Sequence, residues 1–383
     1  MSVANQVFLG IALYVIGSVT FDLVHYLLHL CWLSKNKYLM KLGYLHQVHH
    51  FYFNRRLKFN QNYSWSNILI ELPLEYFSQF LGYCLGYWLL QEHVYAETFW
   101  VLTAFGAVRS FIVACMNGMD SNHIIYEGTV PKDPNTLICG PEFHVLHHIY
   151  PDRYYSSFVR VFDWILGTSY DSLRDKRITM TGTSGAFGGP LMDILLTCEG
   201  AKSVTPLKYG RDFTYDDYSK VVEILENTDI LILAHGSKVK GAMEANCTSF
   251  VTLIELFKKH RKPVGQIVST LPEIWAVGSE IEFHPAWGNR DLQIYLESKR
   301  AFVQFAREYY DQKDFIYRHI VPSAFQSAMG PGLISGRTAV QMAMFFIRRG
   351  FQYIPVTYTT LAFFNYFKFI FFVTPKQVRP KQQ

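Results

Sequence analysis

Charge is scarce in this sequence. Only 17% of its 383 residues are Asp, Glu, Lys or Arg, against roughly a quarter in an ordinary soluble enzyme. Half are hydrophobic and 16% are aromatic. The mean hydropathy of +0.06 averages over unlike parts, an apolar beginning and a more polar middle. A net charge of +5 is too small a surplus to call for a nucleic-acid partner. Cysteine pairing is missing as well. Cys31, Cys84, Cys115, Cys139, Cys198 and Cys247 show no CxxC and no regular spacing. That excludes a disulfide framework and a thiolate zinc site, and leaves reduced, cytosol-facing domains. The start, "MSVANQVFLG", lacks a basic stretch and a small-residue cleavage site. The first apolar run therefore reads as a retained membrane segment. Internal repeats and low-complexity tracts are absent.

Long apolar runs are present instead. Residues 5–33 are almost wholly apolar, broken by Asp22, His25 and His29, and are long enough to cross a bilayer. A second run occupies 67–90, with Glu71 and Glu75 near its start, and a third occupies 98–119, interrupted by Arg109. The short polar link between them predicts a hairpin that enters the membrane and returns. Basic stretches at 35–41 ("KNKYLMK"), 54–58 ("NRRLK") and 174–177 ("RDKR") put the flanking face in the cytosol.

Histidine is concentrated on that face. Of 14 histidines, only His235, His260, His284 and His319 fall after residue 150. His25 and His29 are i, i+4 neighbours; "HQVHH" sets His46 against His49 and His50, and "HVLHH" sets His144 against His147 and His148. On a helix each cluster aims two or three imidazoles at one point. Imidazole suits iron and zinc, and eight such ligands, nine with His123, are too many for one ion. These clusters, set around apolar hairpins over about residues 5–170, resemble the integral-membrane fatty acid hydroxylase/sterol desaturase superfamily. The resemblance implies a di-iron centre held by His25, His29, His46, His49, His50, His123, His144, His147 and His148.

Near residue 170 the character changes. "DKRITMTGTSGAFGGPL" reads as strand, glycine-rich turn and helix start, followed by strand-like runs alternating with amphipathic helices. Alternation of this kind predicts a parallel sheet with both faces covered. Gly182, Gly185 and Gly188 in that turn let backbone amides approach a pyrophosphate at a helix N-terminus. "YLESK" places Tyr295 and Lys299 one helical turn apart, with Ser279 at the end of a strand. The set resembles the short-chain dehydrogenase/reductase family. It implies a Rossmann-like fold that binds NAD or NADP through Thr181, Gly182, Gly185, Gly188, His235 and Gly236. It also implies catalysis by Ser279, Tyr295 and Lys299, the lysine lowering the tyrosine pKa and holding the nicotinamide ribose. The segment "VPSAFQSAMGPGLISG" is like that family's Pro-Gly segment after its sixth strand. This sequence departs from the family in four places. The Ser279–Tyr295 spacing is long, "LAHGSK" replaces Asn-Ala-Gly, and the third strand looks shortened or lost. No acidic residue ends the second strand, where Lys208 leans towards NADP.

Both modules together resemble fusions described as bifunctional sterol desaturase/short-chain dehydrogenase. The expected organisation is a helical integral-membrane di-iron hydroxylase-like domain (1–170), an α/β dinucleotide-binding domain (171–350) and a hydrophobic membrane-associated tail (351–383). The resemblance implies a multi-pass membrane enzyme acting on a lipid, both catalytic modules facing the cytosol. One implied reaction is C4 epimerisation of a lipid-linked glucose through a 4-keto sugar. Another is oxygen-dependent hydroxylation or desaturation of a lipid, with an electron donor serving the iron and the second domain acting on the product. In a third reading one half is a scaffold.

Overall fold

The Ser2 hydroxyl accepts a hydrogen bond from the Asn5 amide and starts α1 (Val3–Trp32). At 30 residues and about 1.5 Å per residue this helix is roughly 45 Å long. Asn36 caps α2 (Lys37–Tyr52), which turns back onto the end of α1. Gly43 allows the approach, since a methyl group there would stand 2.3 Å from the Trp32 nitrogen. A single turn, α3 (Ser64–Ser66), and a π-helical turn (Asn67–Glu71) lead into α4 (Leu72–Leu90), and α5 (Ala96–Cys115) returns beside it. Gly82 faces Gly17 so closely that a methyl on it would lie 2.6 Å from the Gly17 Cα. Backbones of α1 and α4 therefore touch. The unit ends with α6 (Pro141–Ile149) and α7 (Val161–Leu166). Among the described residues two helices, α1 and α5, are long and apolar enough to cross a membrane. Large apolar side chains on them, among them Phe8, Ile11, Trp100, Phe105 and Phe111, are exposed.

This computed structural model describes residues 2–262, 268, 270–286 and 289–378. It separates into two units, with Met1–Asp171 in the first and the second starting at Ser172.

The second unit is built on six parallel strands: β1 (Arg177–Thr181), β2 (Ser203–Leu207), β3 (Ile230–Leu233), β4 (Glu273–Val277), β5 (Ile316–Pro322) and β6 (Tyr353–Val356). Their order is β2-β1-β3-β4-β5-β6. Strand β1 pairs with β2 on one side (Arg177 with Ser203) and with β3 on the other (Ile178 with Ile230). The winding reverses there, which opens a crevice at the carboxyl ends of β1 and β3. Crossovers run through α8 (Gly188–Thr197), α9 (Val221–Glu226), α10 (Ser249–His260), α11 (Arg290–Asp311) and α12 (Gly336–Ile347). Strands β3 and β4 are buried throughout, as a sheet covered on both faces requires. Between β2 and β3 the described residues hold only the six-residue α9 and no strand, in keeping with the short connection read from the sequence.

The first part of the tail differs from its reading as a membrane segment. Residues 353–356 are the sixth strand of the sheet, all four buried, and α13 (Leu361–Phe371) follows. A buried strand is as apolar as a membrane span, so hydropathy alone merged the two.

Candidate metal centre and candidate active site

Nine histidines converge in the first unit as two groups. His25 and His29 of α1, His46 and His50 of α2 and His147 of α6 each bring a ring nitrogen within 4.8 Å of the others. His49 of α2, His123, and His144 and His148 of α6 form the second group. The residues proposed from spacing are thus brought together whole. The i, i+3, i+4 pattern divides each cluster: α2 sends His46 and His50 one way and His49 the other.

Hydrogen bonds at the outer nitrogens decide what the inner ones can do. The Nδ1–H of His25 donates to the Tyr155 carbonyl at 3.0 Å and that of His147 to the Arg153 carbonyl at 2.7 Å. His46 Nδ1 bonds Glu71 Oε1 at 2.8 Å and His49 Nδ1 bonds Asn67 Oδ1 at 3.2 Å. Asp120 Oδ1 sits 2.7 Å from His123 Nδ1, an ion-pair contact although the angle is not that of a straight hydrogen bond. Carbonyls only accept, so the Nε2 atoms of His25 and His147 both present lone pairs, and these face each other at 3.0 Å. Burial pushes His147 down to about 4 and His49 down to about 3, so these rings are neutral. Facing lone pairs repel unless a cation lies between them. The spacing agrees: Nε2 pairs stand 3.0–3.4 Å apart in both groups. Bonds of about 2.1 Å to one ion separate neighbouring ligands by roughly 3.0 Å in an octahedron and roughly 3.4 Å in a tetrahedron. The donor set fits two first-row transition-metal ions. Glu71, Asn67 and Asp120, which orient the rings, escaped sequence reasoning as ligand supports; their signal was a polar side chain beside an apolar run.

In the second unit the glycine-rich turn sits at the switch point. Gly182 has φ +69°, and a Cβ on it would lie 2.4 Å from the Ala234 oxygen. A Cβ on Gly188, the first residue of α8, would lie 2.1 Å from the Gly182 oxygen. Only glycine fits at either position, which lets the turn and the start of α8 pack this closely. The Thr181 hydroxyl accepts from the Ala234 amide at 3.1 Å and contacts His235 Nδ1 at 2.7 Å. His235 Nε2 bonds Ser249, so its ring ties β1 to β3 and α10, and burial keeps it neutral, near 3. Gly236 packs against the Asn246 side chain.

Ser279, Tyr295 and Lys299 meet at the carboxyl end of β4. Ser279 follows that strand and caps the short 3-10 turn Glu280–Glu282. Tyr295 and Lys299 lie one turn apart on α11, the ammonium 5.8 Å from the phenol ring centroid. Burial pushes the Tyr295 phenol up to about 12, and its hydrogen bond with Ser279 pulls part of that back. Lys299 donates to the Val277 carbonyl at 2.8 Å, and burial outweighs its neighbours at the tyrosine. Burial also brings Lys299 down to about 8. Lys299 is charged below that pH and neutral above it. We expect dinucleotide affinity, measured by fluorescence titration, to fall as pH rises through about 8. In Lys299→Met the affinity should be weak and flat over the same range.

Two residues of this site were not found from sequence. Asn246, fully buried on a π-helical turn (Glu244–Thr248), donates to the Ser237 carbonyl at 2.6 Å and to the Ser298 hydroxyl at 2.9 Å. Ser298 in turn donates to the Tyr295 carbonyl. Glu282, also buried, accepts from the Ser279 amide at 2.8 Å and contacts His319 Nε2 at 3.1 Å. Neither carried a signal in the sequence.

No protein-family model matches the chain. It is similar to the monoglucosyldiacylglycerol epimerase of Synechocystis sp., with 27% identity over 259 residues covering 61% of this chain and 61% of that protein. The match thus spans about three fifths of that relative's length. A short-chain dehydrogenase of Burkholderia cenocepacia, solved in complex with NADP, aligns at 15% identity and a TM-score of 0.42, covering 51% of this chain and 94% of its own. One from Sphingobium yanoikuyae, in complex with NADPH, aligns at 14% and 0.38, covering 54% and 100%.

Proposed function

We propose that this protein inverts C4 of the sugar of a monoglucosyldiacylglycerol, giving the galactolipid through a 4-keto intermediate. The observation that carries this is the convergence of Ser279, Tyr295 and Lys299 beside a glycine-only dinucleotide turn, in a chain similar to an epimerase of that name. Thr181, Gly182, Gly185 and Gly188 would hold the pyrophosphate of NAD or NADP. Lys299 would hold the ribose, and Lys208 after β2 leans towards a 2′-phosphate, while Arg211 beside it is held by Asp212. When bound, the nicotinamide supplies a reversible hydride acceptor, so C4 is oxidised and then reduced from its other face with no net redox change. The chain's own residues manage the proton and the oxygen. Ser279 hydrogen-bonds the C4 oxygen and orients it, and Tyr295 takes its proton on oxidation and returns it on reduction. A phenol pushed up to about 12 holds its proton well, so the charged ammonium of Lys299 is needed to stabilise the phenolate. The apolar helices hold the acyl tails in the membrane, the modules facing the cytosol of a cyanobacterial-type cell.

A second reading has its own observation, the two histidine groups at ligand spacing. Two iron ions there would supply oxygen activation, the lipid would be hydroxylated or desaturated, and the second unit would act on the product. Lipid profiling of a host without and with this gene separates the two. A changed ratio of glucolipid to galactolipid supports epimerisation, and new hydroxyl groups or double bonds support the oxygenase.

A further inference from the structure

We infer that α13 lies flat on an anionic membrane surface and ties the Ser279 loop to it. The helix has 11 residues and is about 16 Å long, half the roughly 30 Å of a bilayer core. It cannot span. One face is docked on its own unit: Ala362, Asn365 and Phe369 are buried, and the Phe369 ring stacks on His319 at 5.2 Å. The other face presents Phe363, Phe364, Phe367 and Phe371, continued by Phe372, each between 46% and 80% exposed. Phe345 of α12 is exposed too, and Phe346 of that helix contacts Phe363.

Charge selects the occupant. After Asp314 the sequence contains no acidic residue, but it contains Arg318, Arg337, Arg348, Arg349, Lys368, Lys376, Arg379 and Lys381. The last 69 residues therefore carry +8, and with +5 for the whole the preceding 314 carry −3. Arg318 is buried against Glu273, and Arg337 and Arg348 pair with Asp193 and Glu199. An aromatic face that carries Lys368 on its own helix, with Arg349 and Lys376 close by in sequence, suits the interface of an anionic bilayer, where rings sit at headgroup level and each Lys or Arg near the surface adds attraction.

The same helix is latched to the catalytic loop. Glu280 Oε1 accepts from the Ala362 amide at 3.0 Å and from the Thr357 and Thr359 hydroxyls at 2.6 Å. Lys368 donates to the Glu282 carbonyl at 2.9 Å. Residues 280–282 follow Ser279 directly, so a lipid surface under α13 fixes where a headgroup meets the catalytic hydroxyl. This inference rests on the membrane location proposed above, not on the reaction.

The test is photocrosslinking of the full chain in vesicles of phosphatidylcholine with phosphatidylglycerol. Phe367 or Phe371 is replaced by p-benzoylphenylalanine, and exposed Tyr209 is replaced likewise as a control. We expect lipid adducts at 367 and 371 and none at 209. Removing the anionic lipid should cut the yield about fivefold, the loss expected for one basic side chain near the surface. Adducts at 367 and 371 to a second copy or to the first unit, or no lipid adduct at all, would overturn the inference. No turnover is needed, so failure of the epimerase reading would show separately in the lipid profile.

Discussion

Tyr295→Phe should lower turnover by roughly a hundred- to ten-thousandfold, the range of a positioned acid–base group, while leaving fold and dinucleotide affinity nearly intact. The substitution keeps the ring and removes only the hydroxyl that meets Ser279. Tyr295 is held from several sides: its carbonyl accepts from Ser298, which Asn246 fixes, and Lys299 lies on the next turn. The phenyl ring should therefore stay in place. Under epimerisation the variant makes no galactolipid. Under the oxygenase reading it accumulates an oxidised lipid whose formation still requires oxygen. Wild-type turnover of this variant, in a steady-state assay of purified protein in lipid, would remove the second unit from the chemistry altogether.

His46→Ala and His49→Ala should each cost one metal ion per chain, because each belongs to a different group. Elemental analysis of the purified variants reads this directly. Glu71→Ala should act through His46 alone, weakening metal affinity about tenfold to a hundredfold, as loss of an orienting partner does. Full metal content in both histidine variants would refute the metal centre. If the wild-type protein epimerises its lipid, loss of metal should leave that reaction running without oxygen, since no step of it uses the histidines.

What could be read from the sequence was what local spacing encodes. HxxHH fixes which faces of a helix carry imidazole, and a glycine turn between strand and helix can be recognised because only glycine fits Gly182 and Gly188. Loop length showed that the connection between β2 and β3 is short, and among the described residues it holds only α9. Contacts distant in sequence were not legible. Glu71 is 25 residues from His46, and Glu282 is 37 from His319, so no pattern marks either pair. The start of the run at 354–373 misled for a different reason: Tyr353–Val356 is apolar because the sheet buries it.

The most direct measurement of the central claim uses glucolipid deuterated at C4 of the sugar, given to the purified full chain in vesicles without oxygen. If oxidation and reduction at C4 return the same hydride, the galactolipid forms anaerobically and keeps its deuterium at C4. Loss of that deuterium to solvent, or no conversion until oxygen is admitted, would contradict the account.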